Sequence, residues 1–349
     1  MTTASMELQE SKPLVSIIMP CYNAGIFVKE AIFSILNQTW QNIELLICDD
    51  ASTDETRSIM ESFNDHRIRK FYHQENLGYL ATCNELFQKV SGDFVSFQDA
   101  DDFSEPGRIA QCLEAFRMNP EIGFVITDFR RISKSGRSLS SIIEPVDLER
   151  FRLDSNYKIR VCGATIFIRR EVLNKVGFYH PFFERKGGED YEWLFRISRN
   201  FKGEHIREPL YVYRMYDSQV KLYNMRHKNI DFFIILPAIE FIRKVWIEKN
   251  MYLLEEENQF WLQEKIKQLE QPFKEDSSKF YRYTSIEFLN LYDFKRAFQI
   301  SFWGLRNKPG KPINFVFPVY ILYLIFRRKV PFQLIPENYR ERWKKKERF

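Results

Sequence analysis

The first half of the sequence alternates short apolar runs with segments of helical periodicity. Strands are predicted at residues 15–19, 43–48, 68–72 and 93–98, with helices between and after them. This alternation is typical of repeated βαβ units, so it predicts an α/β fold whose first part is a parallel sheet. Further strands are predicted at residues 124–132, 161–168 and 210–213, and a helix at residues 189–199.

Three regions are predicted along the chain. Residues 1–12 are polar, form a flexible tail and show no secretory signal, which favours a cytoplasmic location. Residues 13–220 form the α/β domain, and residues 221–349 form a helical extension dense in charge. The composition, 44% hydrophobic and 28% charged, excludes disordered and multi-span membrane classes. Five cysteines without a C-x-x-C pair argue against a disulfide framework and a structural zinc site.

Positive charge is concentrated at the end of the chain. The net charge is +5, but residues 304–349 hold twelve Lys and Arg against three Glu, a balance of +9. Within them, residues 313–326 are apolar apart from Asn314. This run is shorter than the roughly 20 residues that span a bilayer, so residues 304–330 are predicted to form a membrane-interface segment. The alternatives are a helix packed on the α/β domain or in a homo-oligomer. Nucleic acid is disfavoured because the aromatics form one apolar block.

Four polar clusters lie at predicted element ends. Residues 20–23 (PCYN), 49–52 (DDAS) and 99–102 (DADD) each follow a strand, and residues 187–190 (GGED) precede a helix. Ligands of open α/β sheets bind at the carboxyl ends of the strands. The clusters are therefore predicted to form one site.

The third cluster is acidic enough to predict a metal. Asp99, Asp101 and Asp102 would repel one another unless a cation neutralised them. Their oxygen atoms suit Mg²⁺ or Mn²⁺, which bridge carboxylates to substrate phosphates. The alternative is a solvated acidic turn in which an aspartate caps the next helix.

A resemblance to the family 2 glycosyltransferases is carried by four ordered segments over roughly residues 13–216. The segments are VSIIMPCYNAGIFVKEAIFSILNQTWQNIELLICDDASTDET, NLGYLATCN, DFVSFQDADD and GGEDYEWLFRI. The resemblance implies the GT-A fold, a Rossmann-like mixed sheet flanked by helices, here with a C-terminal helical extension. It also implies a nucleotide-sugar donor, Mn²⁺ or Mg²⁺ on the donor diphosphate and inversion at the anomeric carbon.

The resemblance implies roles for single residues. Asp50 matches the carboxylate that accepts from the nucleobase, and Asp99 would lie by the ribose and the metal. Asp101 matches the aspartate that holds the metal, and Asp102 would support the loop. The residues that match the frame of the nucleobase are Pro20, Tyr22 and Asn23.

The same resemblance places the general base at Asp190, which would take the proton from the acceptor hydroxyl. One such base and one metal suffice for an inverting transfer. Glu189 is the alternative base, since spacing does not separate the two residues. Both could instead simply cap a helix through its N–H groups and dipole. Cys162, Gly163 and residues 182–188 are predicted to line the acceptor side.

Two positions depart from the family pattern. Where many relatives carry Ala-Arg-Asn, residues 82–84 are Thr-Cys-Asn, so a cation that could face the diphosphate is lost at Cys83. Arg214, in the run YVYR at residues 211–214, resembles a family position on a late flexible segment and is the candidate to replace this cation. Where relatives often have a His two residues later, this chain has Tyr216, so an imidazole ligand to the metal is not supported there.

The sequence thus predicts an inverting, metal-dependent glycosyltransferase of the bacterial surface-polysaccharide type. A UDP-sugar is the favoured donor, and the acceptor is a hydroxyl of a glycan or lipid-linked glycan at the inner face of the cell membrane. The alternative is a non-catalytic GT-A-like nucleotide-binding or membrane scaffold for another transferase, motivated by Cys83. The histidines form no H-x-x-x-H pattern and no Gly-rich phosphate loop occurs, so zinc-hydrolase and ATPase motifs are lacking.

Overall fold

A computed structural model describes residues 12–142, 145–215, 229–290 and 294–327. The chain divides into two compact units. The N-terminal unit comprises the described residues up to Met215 together with Ile242–Glu255, and the C-terminal unit comprises residues 229–241 and 256–327. The predicted N-terminal tail, apart from Lys12, and the predicted boundary at residues 220–221 lie outside the described residues.

The N-terminal unit is built on one mixed sheet, as predicted. Within the described residues its strand order is β3-β2-β1-β4-β8-β6-β9-β5, with β7 paired to β6. The strands are β1 (Val15–Cys21), β2 (Ile43–Asp49), β3 (Ile68–Tyr72), β4 (Phe94–Phe97), β5 (Phe103–Ser104), β6 (Ile122–Ser133), β7 (Ser138–Ile142), β8 (Phe167–Arg169) and β9 (Lys202–Met215).

The first four strands of this order are parallel. Strand β1 lies between β2 and β4, and every residue of β1 and β2 is buried. Continuous apolar runs such as VSIIM are therefore the expected sequence, because both faces of a parallel sheet are covered. The register pairs Cys21 with Asp49, so the polar residues that follow β1 and β2 leave the sheet at the same edge.

The rest of the sheet introduces antiparallel pairs. Strand β8 runs antiparallel to both β4 and β6, and β9 is parallel to β6 but antiparallel to β5. The strand predicted at residues 161–168 is largely replaced by a 3₁₀ turn, Gly163–Thr165, so that β8 keeps only three residues. The Thr165 hydroxyl donates to the Cys162 carbonyl oxygen at 2.7 Å, which closes this turn locally.

Helices cover the sheet of the N-terminal unit. Alternate β1 residues pack with Val28, Ile32 and Ile35 of the first helix in one apolar core. A second group of rings brings Phe87, on the third helix, against Trp193, on the seventh. The helices are α1 (Val28–Leu36), α2 (Thr56–Ser62), α3 (Tyr79–Phe87), α4 (Arg108–Met118), α5 (Leu148–Leu153), α6 (Arg170–Val176) and α7 (Glu189–Asn200).

Residues 242–255, which the sequence analysis assigned to the C-terminal extension, group with the N-terminal unit. The fully buried Arg243 guanidinium donates to the carbonyl oxygens of Phe151 (2.9 Å) and Tyr157 (3.1 Å). The Tyr252 hydroxyl donates to the buried Glu192 at 2.6 Å. Nothing in a charged helical pattern shows that an arginine will be buried, so the sequence did not indicate this grouping.

The C-terminal unit is helical, as predicted. The remaining helices are α8 (Asp231–Lys249), which contributes residues to both units, α9 (Gln259–Glu275), α10 (Ser278–Asn290), α11 (Phe294–Asn307) and α12 (Pro312–Arg327). Leu289, Ala297, Ile300 and Ile321 form an apolar core among α10, α11 and α12. Among the helices that are described, none is both long and apolar enough to cross a membrane.

Asn314 is the polar residue within the apolar helix α12. Its side chain is 1% exposed, and its amide donates to the carbonyl oxygens of Gly304 (3.1 Å) and Lys308 (2.9 Å). The Arg282 guanidinium of α10 donates to its amide oxygen at 2.5 Å. These bonds hold one face of α12 against α10 and α11.

Candidate active site

The polar ends of β1, β2 and β4 meet at one edge of the sheet. The Asp50 amide donates to the Cys21 carbonyl oxygen at 2.8 Å, and the Gln98 amide donates to the Ile18 carbonyl oxygen at 3.0 Å. Three of the four predicted clusters are therefore neighbours. The carboxyl edge of parallel strands is where open α/β sheets bind their ligands.

The loop after β1 presents a tyrosine ring beside a rigid turn. Asn23 has a φ of +50°, and its side-chain oxygen accepts from the Thr53 amide at 2.8 Å. The Asn23 amide donates to the Ser52 hydroxyl at 2.9 Å, so the loops after β1 and β2 are joined. Tyr22 is 41% exposed, whereas Pro20 is buried inside β1. Of these three residues, Tyr22 offers a ring face to a ligand.

Asp50 is buried and its carboxylate is surrounded by protein donors. One oxygen accepts from the His73 ring at 2.7 Å and the Leu77 amide at 2.9 Å. The other oxygen accepts from the Asn76 side chain at 3.0 Å and the Gly78 amide at 2.9 Å. A carboxylate has about four acceptor sites, and these four bonds fill them. In this arrangement Asp50 organises the loop before α3, and its contact with a nucleobase stays a prediction.

His73, which the sequence analysis did not select, bridges two carboxylates. Its Nδ1 lies 2.7 Å from Asp50, and its Nε2 lies 2.9 Å from Glu85. Burial alone would lower the pKa of His73, but the hydrogen bonds to Asp50 and Glu85 outweigh burial and raise this pKa above its ordinary value. Both ring nitrogens act as donors when the imidazole is protonated.

We expect His73 to stabilise the fold most at mildly acidic pH. Because its pKa is raised on folding, its contribution is full below the unfolded-state pKa, near 6.5, and is lost as pH rises through the folded-state pKa. His73→Gln removes this contribution and should lower the free energy of unfolding by roughly 1–3 kcal/mol at pH 6, with a smaller difference at pH 9. Thermal unfolding of both proteins between these pH values measures it. An equal difference across the range would contradict a charged bridge.

The acidic loop after β4 contains two carboxylates with different partners. Asp99 is half-buried and accepts from the Tyr79 hydroxyl at 3.1 Å. Burial and the neighbouring charge of Asp101 raise the pKa of Asp99 to about 7. Asp102 is 2% exposed and accepts from the Tyr211 hydroxyl (3.0 Å) and from a backbone amide of β9 (2.6 Å). Asp102 therefore fixes the loop to β9, as predicted.

The residues of this loop fit a divalent cation held together with a substrate. Asp99 and Asp101 are oxygen donors, and each raises the cost of charging the other, so a cation between them would relieve the repulsion. Within the described part of the chain, no three His, Cys, Asp or Glu side chains form a ready-made metal cage. Mg²⁺ and Mn²⁺ need no such cage when substrate phosphates and water complete their coordination.

Arg214 lies on β9 and contacts the backbone of the acidic loop. Its Nε donates to the Asp101 carbonyl oxygen at 2.9 Å, and its Nη2 donates to the Glu30 carboxylate at 2.5 Å. The guanidinium also lies 4.5 Å from the centre of the Phe27 ring. Because the side chain is only 5% exposed, Arg214 positions the loop in this structure, and its contact with a diphosphate stays a prediction. Tyr216, beyond β9, lies outside the described residues.

The fourth cluster brings Glu189 and Asp190 to the start of α7. Gly188, which precedes the helix, has a φ of +83°. One Asp190 oxygen accepts from the Gly163 amide at 3.1 Å, and the other accepts from the Tyr191 amide at 2.7 Å. A Cβ on Gly163 would lie 2.5 Å from Asp190 Oδ2, so glycine is required at this close approach.

The two acids of α7 differ in electrostatic environment. Burial and the charge of Asp190 raise the pKa of Glu189 to about 8. Burial raises the pKa of Asp190 above its ordinary value, and the hydrogen bonds from the Tyr191 and Gly163 amides offset part of this rise. The Gly163 amide joins Asp190 to the turn before β8, and β8 pairs with β4, the strand that leads into the acidic loop. Because the charge of Asp190 raises the pKa of Glu189, we infer that Asp190 loses its proton first.

Cys83 lies beside these acids without offering a cation. The thiol is fully buried, and burial together with Asp99 and Glu189 raises its pKa well above its ordinary value.

A positively charged side chain, Arg185, contacts the loop before α3, because its Nη2 donates to the Asn76 carbonyl oxygen at 3.2 Å. The sequence analysis placed Arg185 only within the acceptor-side segment 182–188. Its φ of +56° depends on tertiary structure that a local pattern does not encode.

Comparison with protein families adds an independent finding. The family described as "Glycosyl transferase family 2" matches residues 16–177. The putative teichuronic acid biosynthesis glycosyltransferase TuaG of Bacillus subtilis is 27% identical over 240 residues, which are 67% of this chain and 93% of that protein. The Escherichia coli UDP-Glc:alpha-D-GlcNAc-diphosphoundecaprenol beta-1,3-glucosyltransferase WfgD is 30% identical over 190 residues, which are 54% of this chain and 71% of that protein.

The fold is shared with a solved structure of low sequence identity. The mannosyltransferase PcManGT from Pyrobaculum calidifontis, in complex with GDP-Man and Mn²⁺, aligns with a TM-score of 0.50 at 17% identity. The alignment covers 76% of each chain. This similarity agrees with the mixed sheet described above.

Proposed function

The chain belongs to glycosyl transferase family 2, and from this premise we propose that it transfers a sugar from a nucleotide-diphosphate donor to a hydroxyl acceptor with inversion at the anomeric carbon. The observation that supports this proposal is that Tyr22 and the acidic loop around Asp101 follow the paired strands β1 and β4, and that Asp190 is hydrogen-bonded to the turn before β8, which also pairs with β4. Each belongs to a different segment, and the transfer needs a nucleotide platform, a diphosphate site and a base.

We propose a UDP-sugar as the donor. The name of WfgD specifies a UDP-glucose donor, which supports this choice, whereas PcManGT was solved with GDP-Man, so the base must be tested. In the proposal the nucleobase stacks on Tyr22 and the ribose lies by Asp99. Asp101 and Asp99 would hold Mn²⁺ or Mg²⁺, which supplies a Lewis acid at the leaving diphosphate. The Mn²⁺ of PcManGT supports a metal in this fold.

Asp190 is the proposed base. The Asp190 carboxylate would accept the proton of the acceptor hydroxyl. At the same time the acceptor oxygen would attack the sugar C1 and the nucleotide diphosphate would leave. The hydrogen bonds from the backbone amides of Gly163 and Tyr191 keep the carboxylate in one orientation. Glu189, held protonated by its raised pKa, would then position a substrate group rather than remove a proton.

We propose that the acceptor is a glycan or lipid-linked glycan of a cell-surface polysaccharide, reached at the inner face of the cell membrane. Support comes from the names of TuaG and WfgD, which specify teichuronic acid biosynthesis and a diphosphoundecaprenol-linked acceptor. The basic balance of residues 304–349 suits an anionic membrane surface.

The donor proposal predicts metal-dependent stabilisation. We expect a UDP-sugar with Mn²⁺ to raise the stability of the protein, by roughly 2.7 kcal/mol at a ligand concentration of 100 times Kd, and GDP- and dTDP-sugars to do so less. Asp101→Ala should weaken the metal-dependent binding of the donor at least tenfold. Thermal shift and titration calorimetry, with and without Mn²⁺, measure both effects without any acceptor.

The same screen decides between the two functions. If no nucleotide binds under any metal condition, the transferase proposal fails and a scaffold role takes its place. Asp102→Asn is not a suitable control, because Asp102 holds the loop. Glu114→Gln, at an exposed position on α4, is suitable and should bind the donor like the wild type.

A further inference from the structure

Among the described residues, helix α12 has an exposed apolar face. Its inward face packs through Phe317 and Ile321, and Asn314 fixes this orientation by hydrogen bonds to α11 and the loop that follows it. The opposite side consists of large apolar and aromatic residues that are 38–64% exposed. These residues, here called the α12 face, are Phe315, Val316, Val319, Tyr320, Leu322 and Tyr323.

Two aromatic residues of the neighbouring helix α11 are also exposed. Phe302 and Trp303 of α11 are 40% and 44% exposed, and the Trp303 ring contacts Tyr281 of α10. Soluble monomers rarely expose an apolar surface of this extent without a partner. A helix that is apolar on both its packed and its open side is therefore expected to meet a second apolar phase.

Charge at the margins of the α12 face identifies the partner. Arg306, in the last turn of α11, and Lys311, in the connection that leads into α12, are exposed. The sequence has no Asp or Glu from residue 304 to residue 336, and it continues after α12 with Arg328 and Lys329. Apolar side chains bordered by cations complement the acyl chains and anionic headgroups of a lipid surface. Two copies joined through this face would instead bring like charges together.

The length of α12 limits how it can meet that surface. Sixteen residues of α-helix extend about 24 Å, which is less than the roughly 30 Å of a bilayer core. Tyr320, Tyr323 and Trp303 carry a polar atom on an apolar ring, which suits the boundary between headgroups and acyl chains. We propose that the α12 face lies in the plane of an anionic membrane and inserts these side chains at the interface.

The α12 face would account for the membrane location proposed above. Its binding to lipid does not depend on the proposed transferase activity. Vesicle flotation of the full chain tests it, using phosphatidylcholine vesicles with or without phosphatidylglycerol. We expect the wild type to bind the anionic vesicles and Val319→Glu to bind about tenfold more weakly, with unchanged thermal unfolding because Val319 is 64% exposed. Leu236→Glu is the matched control, since Leu236 is an apolar α8 residue that is 55% exposed, and it should bind like the wild type.

Two results would overturn the proposal. Wild-type binding by Val319→Glu would place the lipid contact elsewhere, for example in residues 328–349. A wild-type dimer that Val319→Glu converts to a monomer, without vesicle binding by either protein, would show that a second copy covers the face. Donor binding by calorimetry is expected to be the same in wild type and Val319→Glu. A loss of vesicle binding is thereby separated from a failure of the donor proposal.

Discussion

Replacing Asp190 with asparagine should lower kcat by roughly 10³-fold while leaving donor affinity within about twofold, because a general base contributes only once the acceptor proton is transferred. The substitution keeps the shape of the side chain and an oxygen that can accept from Gly163 or Tyr191. The measurement is the rate of UDP release from the donor that the binding screen identifies, with calorimetry of the same donor. Donor hydrolysis can replace transfer as the assay, since attack by water needs the same base.

Glu189→Gln is the matched control for that experiment. Glu189 is the neighbouring acid, and its raised pKa keeps it largely protonated and neutral at neutral pH, so replacement by the neutral Gln should cost less than about tenfold in kcat. The dependence on pH gives a second criterion. Transfer by the wild type should fall as pH is lowered through the pKa of Asp190, because the protonated carboxyl is no longer a base. If Glu189→Gln loses more activity than Asp190→Asn, the roles of the two acids are reversed.

Gly163→Ala should have the second-largest effect, although the new methyl group carries no chemistry. The added Cβ would lie 2.5 Å from both Cβ and Oδ2 of Asp190, a distance that real atoms do not tolerate. Either the 3₁₀ turn or the start of α7 must shift, and the hydrogen bond from the Gly163 amide to Asp190 is disturbed. We expect roughly a 100-fold loss in kcat, since a displacement of about 1 Å in a reacting group can have this cost.

Gly107→Ala serves as the control for a methyl group added in the same unit. Gly107 has a φ of −91°, and a Cβ there would approach only the end of the Gln111 side chain, at 3.4 Å. This variant should retain activity close to that of the wild type. Donor affinity measured alongside should change little in Gly163→Ala, because Tyr22 and Asp101 lie on other segments. Full activity of Gly163→Ala would show that the position of Asp190 is not critical.

Local pattern was enough to predict the part of the fold that positions the site. The apolar runs of β1, β2 and β4 and the acidic residues directly after them are encoded by neighbouring residues, so their common edge could be predicted. The partners of those residues could not. Asp50 meets His73, 23 residues away, and Asp102 meets the amide of Arg214, 112 residues away. Such pairs depend on how β3 and β9 join the sheet, and the apolar periodicity of a strand does not determine its neighbours in the sheet.

Arg214 illustrates the same limit from the other side. Arg214 resembles a family position on a late segment, which implies a contact with the diphosphate, and this contact stays a prediction. The sequence shows the charge of the residue but not its neighbours. In the structure its guanidinium meets Glu30 of α1 and a loop carbonyl oxygen, and it lies against the Phe27 ring. The grouping of residues 242–255 with the N-terminal unit escaped prediction for a similar reason, since the burial of Arg243 needs carbonyl oxygens supplied from α5 and beyond.

A helix as uniformly apolar as α12 has no intrinsic preference for which side it turns inward. Leucine, valine and aromatic side chains could fill the same groove after a rotation about the helix axis, at little difference in free energy. Asn314 removes this degeneracy, because any rotation would take its buried amide away from the carbonyl oxygens of Gly304 and Lys308. A single polar residue thus fixes the rotation of α12 about its own axis, and it thereby determines which apolar side chains are exposed.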